Sequence, residues 1–215
     1  MRGLYAIVDV DTLDRVGLEL EPFVEAVLEA RPVAVQLRDK SSGARAMLDR
    51  LERLLPLCRA AAVPLFANDR ADLAALAGVN GVHVGQHDLP VELARAVGAR
   101  LGIALSVGVS AHDEAELDRA LGMRPDYIAL GPVFDTLSKR LPEPTIGLTG
   151  LAKLVARAAP SGLPLVAIGG LDATRLRLVG PIVGCAAVIG ALVPEEKSYS
   201  EVTRRARGLS AALSG

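Results

Sequence analysis

The 215-residue sequence predicts one closed (β/α)8 barrel of the TIM type, with residues 1–215 as a single domain. Eight short apolar runs rich in β-branched residues recur along the chain, separated by segments whose apolar residues repeat at helical spacing. Eight such units favour closure over an open doubly wound sheet, which usually needs fewer strands. Polar and glycine-containing stretches follow the runs at their C-terminal ends, where a barrel of this kind keeps its chemistry. The length also suits one domain, because α/β barrels routinely reach it as a single unit.

The first strand is expected at Leu4–Val8. Asp9, Asp11 and Asp14 interrupt the apolar run behind it, which argues against an export signal. Later runs such as Gly184–Val193 fall far short of the ~20 apolar residues of a membrane span. Pro22, after Glu21, stands near the start of the first outer helix, where its missing N–H costs nothing. The second strand, expected at Val33–Leu37, turns polar at its end. Side chains alternate across a strand, so Gln36 and Arg38 share one face, joined by Lys40 if the extension continues, while Val33, Val35 and Leu37 take the other. That face offers amide recognition and two cations. Leu48, Leu51, Leu54, Leu55 and Cys58 then mark a helix.

The third strand, Pro64–Ala67, leads into Asn68-Asp69-Arg70, residues that also suit a helix N-cap. The fourth, Gly81–Val84, leads into the turn-like Gly85-Gln86-His87-Asp88. Asp69 and Asp88 thereby fall on neighbouring strand ends, and Mg²⁺ is held by one or two carboxylates together with substrate phosphates. His83, between Val82 and Val84, reads as a hydrogen-bonded lumen residue without a chemical role. After a fifth strand at Ala104–Val107, Ser110 and Asp113 have the spacing of a capping box, and a capped helix start also attracts anions. Leu117, Ala120 and Leu121 continue as a helix.

The sixth strand, Tyr127–Leu130, is followed by a loop from Gly131 in which Thr136, Ser138 and Lys139 supply two hydroxyls and an ammonium, donors suited to phosphate. The chain has 20 Arg and 4 Lys, so Lys40 and Lys139 place half of the compact ammonium groups in candidate site loops. Strands at Leu165–Ile168 and Ala186–Ile189 are followed by Gly169-Gly170 and by Gly190. Glycine admits close backbone approach to a ligand, and loops after strands seven and eight often form a phosphate site. The stretch Glu195–Arg207 reads as the last helix and its approach.

A net charge of −1 gives no sequence-independent pull on nucleic acid, which favours small-molecule partners. Aromatics are 3% and Trp is absent, so aliphatic side chains must fill the core. Cys58 and Cys185 form no short-spaced ligand pair, and a reducing, cytoplasmic setting fits them.

Six motifs in order resemble the thiamine phosphate synthase family across nearly the whole chain: Gln36-Leu37-Arg38-Asp39-Lys40; Asn68-Asp69-Arg70; Gly81-Val82-His83-Val84-Gly85-Gln86 with Asp88; Gly108-Val109-Ser110-Ala111-His112; Gly131-Pro132 through Lys139; and Ile168-Gly169-Gly170. The resemblance implies a transferase of thiamine biosynthesis that joins 4-amino-5-hydroxymethyl-2-methylpyrimidine diphosphate to 4-methyl-5-(2-hydroxyethyl)thiazole phosphate, releasing diphosphate. It implies that Gln36 reads the pyrimidine, that Arg38, Lys40, Asn68 and Lys139 hold the diphosphate, and that Ser110 bonds the leaving group. Asp69 and Asp88 would hold Mg²⁺. Thr136 and Ser138, with amides near Gly169, Gly170, Ile189 and Gly190, would hold the thiazole phosphate. Arg38, Lys40, Ser110 and Lys139 are the implied catalytic set, acting on a dissociative path that needs no protein nucleophile.

Ser138 stands where the family usually has Thr, Gly190 where Ser is common, and the neighbours Asp135 and Leu137 also depart from the pattern. Two other readings stay open: a TenI-like thiazole tautomerase, which can use a His after the sixth strand where this chain has Pro132, and a catalytically silent barrel that regulates by binding a phosphorylated ligand. A homo-oligomer is left open too.

Overall fold

The computed structural model describes residues 1–136 and 144–214. Eight parallel strands close into a barrel in sequence order: β1 (Gly3–Asp9), β2 (Ala34–Arg38), β3 (Leu65–Asn68), β4 (Gly81–Val84), β5 (Ser106–Ala111), β6 (Tyr127–Leu130), β7 (Leu165–Ile168) and β8 (Cys185–Val188). Closure is made by β1 against β8, with Leu4 opposite Ala186 and Ala6 opposite Val188. The expected barrel is therefore the observed one. The helices outside it are α1 (Val10–Val16), α2 (Leu20–Leu28), α3 (Ala44–Ala60), α4 (Ala71–Ala77), α5 (Val91–Arg100), α6 (Glu114–Gly122), α7 (Gly147–Ala158), α8 (Ala173–Val179) and α9 (Tyr199–Ser214). Helix α9 returns to pack on α2 and α8, covering the seam where the chain closes.

Strand alternation divides the molecule into two apolar layers. Leu4, Ala6 and Val8 of β1, with Val35 and Leu37 of β2, join the large core between sheet and helices. Tyr5, Ile7, Ala34, Phe66, Tyr127 and Ala187 form a smaller core inside the barrel. Leu51, Leu54, Leu55 and Cys58 of α3, and Leu117 and Ala120 of α6, are buried in the outer core as their spacing predicts. Val33 departs from the expected face: the strand starts one residue later, and Val33 packs against the inner cluster.

Aliphatics do pack the outer layer, but the lumen is built on rings. Tyr5, Phe66 and Tyr127 lie with centroids 5.8–5.9 Å apart in tilted and edge-on pairs, an arrangement that suits the aromatic quadrupole. Glycine in the strands makes the room. A Cβ on Gly108 would lie 2.0 Å from Cζ of Tyr127. This explains the largest misreading of the sequence: Gly108 is not loop punctuation but part of β5, which runs from Ser106 to Ala111 and pairs Gly108 with Tyr127. Gly108→Ala is expected to cost about 1–3 kcal/mol through overpacking; a urea midpoint equal to that of the parent would contradict this packing.

The acidic stretch after β1 is also ordered. Asp9 caps α1, its Oδ1 accepting from the Thr12 amide at 3.0 Å and from Thr12 Oγ1 at 2.9 Å, and Gly17 ends the helix at φ 73°. Pro22 therefore sits in the first turn of the second helix, α2, not of the first.

Candidate active site

The C-terminal ends of the strands open into one cavity of about 440 Å³. Gln36, Arg38, Asn68, Ser110, Thr136, Gly169, Gly170, Ile189 and Gly190 all line it. Nine expected site residues from six strand ends or the loops behind them thus meet in one place. Ser138 and Lys139 lie outside the described residues.

The β2 end shows how alternation sorts side chains. Gln36 and Arg38 point inward, and Arg38 forms an ion pair with Asp9 at the end of β1. Asp39 points the other way: its side chain is fully buried and accepts from Arg50 at 2.6 Å and from the Ser42 amide at 3.0 Å. This buried pair fixes the loop that carries Lys40. Lys40 in turn pairs with Asp69.

Asn68 and Asp69 do not cap a helix, contrary to the alternative role considered for them. The N-cap of α4 is Arg70, which makes no side-chain cap bond and instead clasps Asp72 at 2.5 and 2.8 Å. Asp69 occupies the left-handed region at φ 61°, and its amide donates to the His83 carbonyl at 2.7 Å. Asp is among the residues that tolerate this conformation. Asp88 closes a turn, as expected, by accepting from the Gly85 amide at 2.7 Å. Burial, and then the hydrogen-bonded neighbour Asp69, hold the Asp88 carboxyl above its ordinary range. Asp69, Asp88 and Lys40 therefore form one charged cluster beside the cavity, on residues that follow Arg38, Asn68 and β4.

Ser110 is a strand residue, not a helix cap. The cap of α6 is Asp113, which accepts from the Glu116 amide at 2.8 Å, while the Glu116 carboxylate takes the His112 amide at 2.8 Å. The helix cap lies three residues further on than its predicted place, and the returning carboxylate meets the amide before the cap. Gln86 donates to the Ser110 carbonyl at 2.6 Å and ties the loop after β4 to β5. His83 is a buried lumen residue as read, but it is also part of the cavity wall, with Nε2 at 2.8 Å from Ser110 Oγ.

Gly169 (φ 104°) and Gly170 (φ 62°) need glycine twice over. A Cβ would lie 2.5 Å from Pro132 Cα at the first and 2.3 Å from the Asp135 carbonyl at the second. The loop after β6 thereby rests on the loop after β7, with the Val133 amide donating to Ile168 at 2.8 Å and the Phe134 amide to Gly169 at 3.2 Å. Thr136 is carried to the cavity by that contact.

Several wall residues escaped sequence reasoning. Tyr5 lies within β1 and Tyr127 opens β6, and their inward parity was the available clue. Arg175 lies on α8, its guanidinium 4.7 Å over the Phe134 ring and its Nη1 donating to the Gly170 carbonyl at 2.5 Å. Nothing in the local pattern separates it from a surface arginine. Both cysteines are buried and unpaired, and desolvation pushes the thiols up to about 11 for Cys58 and about 12 for Cys185. Neither is expected to react with Ellman's reagent at neutral pH in the folded protein, and both should react once it is unfolded. Modification of the native protein would contradict that burial.

The thiamine monophosphate synthase family model matches residues 4–192. A thiamine-phosphate synthase from Roseiflexus castenholzii is 42% identical over 178 residues, covering 80% of this chain and 75% of its own. One from Anaeromyxobacter dehalogenans is 40% identical over 216 residues, covering 96% and 91%. The solved thiamine phosphate pyrophosphorylase from Pyrococcus furiosus superposes with a TM-score of 0.82 at 29% identity, over 99% of this chain and 95% of that one. Match length, identity and superposition agree with the barrel, and the chain belongs to the thiamine monophosphate synthase family.

Proposed function

We propose that this chain is a thiamine-phosphate synthase that condenses 4-amino-5-hydroxymethyl-2-methylpyrimidine diphosphate with 4-methyl-5-(2-hydroxyethyl)thiazole phosphate, with residues 1–215 acting as one catalytic domain. The observation that carries the reading is the convergence of an amide, an arginine, hydroxyls and a glycine pair in one cavity, beside a cluster of two carboxylates and a lysine. Gln36 reads the pyrimidine. Arg38, Lys40 and Asn68 hold the diphosphate, with Ser110 on its bridging side. Thr136 and the backbone at Gly169, Gly170, Ile189 and Gly190 hold the thiazole phosphate. Lys139 and Ser138, expected at the same phosphates, lie outside the described residues.

The donor set fits Mg²⁺. Two carboxylates close enough to share a hydrogen bond repel when both are ionised; burial raises Asp88 most, and a divalent cation would relieve the part that Asp69 adds. Mg²⁺ held by Asp69 and Asp88 would supply positive charge against the diphosphate oxygens. The chain's own part is to strengthen the same interaction as the C–O bond breaks. Negative charge grows on the leaving group, where Arg38 and Lys40 stabilise it more than in the ground state. The pyrimidine methylene becomes cationic, and apolar walls such as Ile7, Val166, Ile168 and Ala187 keep water from it until the thiazole nitrogen attacks. The buried thiols take no part, and as unpaired cysteines they support a reducing, cytoplasmic setting. Among the described residues no helix is long and apolar enough to cross a membrane.

Separate titrations test the assignment of the two ends. Pyrimidine diphosphate should bind measurably more tightly with Mg²⁺ than with a chelator, and thiazole phosphate should bind equally in both; the reverse pattern would exchange the two sites. Gly190 supplies a further test, because a Cβ there meets nothing within 4 Å. Gly190→Ser should fit without strain and add one donor to the thiazole phosphate, lowering its KM by about ten- to a hundredfold, as one hydrogen bond to an ion suggests. An unchanged or raised KM would remove residue 190 from that subsite.

A further inference from the structure

The cavity floor holds a feature that the substrate assignments leave unused: a continuous line of side-chain hydrogen bonds crossing the barrel. Gln36 Nε2 donates to the Tyr5 hydroxyl at 3.0 Å. The Tyr5 and Tyr127 hydroxyls are 2.9 Å apart, Tyr127 lies 3.0 Å from His83 Nδ1, and His83 Nε2 lies 2.8 Å from Ser110 Oγ. Five side chains from five strands are linked, and the two ends of the line are the residues assigned to the pyrimidine and to the leaving group. We propose that Tyr5, Tyr127 and His83 are positioning residues that give this line one direction, so that Gln36 turns its amide oxygen, and Ser110 its hydroxyl proton, toward bound substrate.

The direction follows from counting protons. Tyr5 is 1% exposed and already accepts from Gln36, so its own proton must find an acceptor or stand as a buried unpaired donor. Tyr127 is the acceptor beside it. The same reasoning sends the Tyr127 proton to His83 Nδ1, which leaves the imidazole proton on Nε2 and directs it to Ser110 Oγ. Ser110 then accepts from His83 and keeps its own proton for the cavity. Each phenol stays protonated, because burial holds both Tyr5 and Tyr127 well above the usual tyrosine range. The rings are locked as well: Tyr127 stacks on His83 at 25° and 5.5 Å and meets Tyr5 edge-on at 69°. The three rings therefore hold one another in place.

The consequence for recognition is chemical and rests on the proposed function. An amide oxygen presented by Gln36 accepts from an amino group, such as the one carried by the pyrimidine. A hydroxyl proton presented by Ser110 donates to an oxygen that gains negative charge. Reversal of the line would present an amide N–H and a hydroxyl lone pair, the wrong partner at both ends.

The direct test is the tautomer of His83, read from long-range ¹⁵N–¹H correlations of uniformly labelled protein at a pH where the imidazole is neutral. The chain has three histidines, and the His83 signals are identified by their loss in His83→Gln. The expected pattern is a protonated Nε2 and an acceptor Nδ1, giving way to a mixture in Tyr127→Phe. A wild-type Nδ1–H tautomer would overturn the direction. Kinetics test the coupling: Tyr5→Phe and Tyr127→Phe should each lower kcat/KM for the pyrimidine diphosphate by roughly tenfold, with KM for thiazole phosphate unchanged. The double variant should lose little more than either single one, since a line broken once is already broken. Additive losses, or effects on thermal stability alone, would reduce the tyrosines to packing residues. The tautomer is measured without turnover, so it decides the direction even if the proposed reaction is not observed.

Discussion

Asp69→Asn is expected to lower turnover at saturating substrates by about 10²–10³-fold, the scale seen when one preorganised electrostatic contact to a developing charge is lost. The fold should survive the change. Position 69 sits at φ 61°, and Asn tolerates the left-handed region as well as Asp does. Lys40 loses its ion pair, but its side chain is 47% exposed, so the cost is small. Affinity for thiazole phosphate should hold, because Asp69 stands with the diphosphate residues. The substitution also removes a charge that helps to raise Asp88, so the Asp88 carboxyl should ionise at lower pH. Protons compete with Mg²⁺ for that carboxylate, and residual Mg²⁺ binding in the variant should therefore persist further into acid than in the parent. Unchanged turnover at saturating substrates would remove Asp69 from the mechanism.

Arg38 presents a harder case, because it has two jobs. It faces the cavity, and it compensates Asp9, whose side chain is 3% exposed. Arg38→Met alone should thus cost both activity and about 3–5 kcal/mol of stability, the penalty for stranding a buried charge. The double variant Asp9→Asn with Arg38→Met separates the two. Asn caps a helix about as well as Asp, so α1 keeps its start while the stranded charge disappears, and the urea midpoint should recover most of the loss. Turnover should not recover, and should stay about 10²-fold or more below the parent, since a guanidinium opposite the departing diphosphate has no replacement. Recovery of both would make Arg38 a structural residue only.

The strand ends were legible because one face of each strand must be apolar while its C-terminal end carries polar groups. At β2 the parity rule alone separated Gln36 and Arg38 from Leu37, and the structure repeats that division. Glycine was legible where the backbone required it, as at Gly169 and Gly170, and misleading where a side chain elsewhere required it. Gly108 looks like a strand end until Tyr127, nineteen residues later, claims the space. Asp9, Asp11 and Asp14 looked like an interruption because the cap and the arginine that give Asp9 its purpose lie in different elements. The tyrosine and histidine line is the extreme of this. Tyr5 and Tyr127 are 122 positions apart, and His83 taken singly is only a buried polar residue. No local pattern encodes a hydrogen bond between strands that meet only when the barrel closes, and Arg175 escaped notice for the same reason.

Diphosphate release on mixing the purified protein with both substrates, with and without Mg²⁺, while thiamine phosphate is followed by mass, tests the central claim most directly. The account predicts one thiamine phosphate formed per diphosphate released, only with both substrates and only with Mg²⁺. Thiazole phosphate binding without product under any condition would contradict it, and would leave the cavity to a tautomerase or to a silent phosphate-binding barrel.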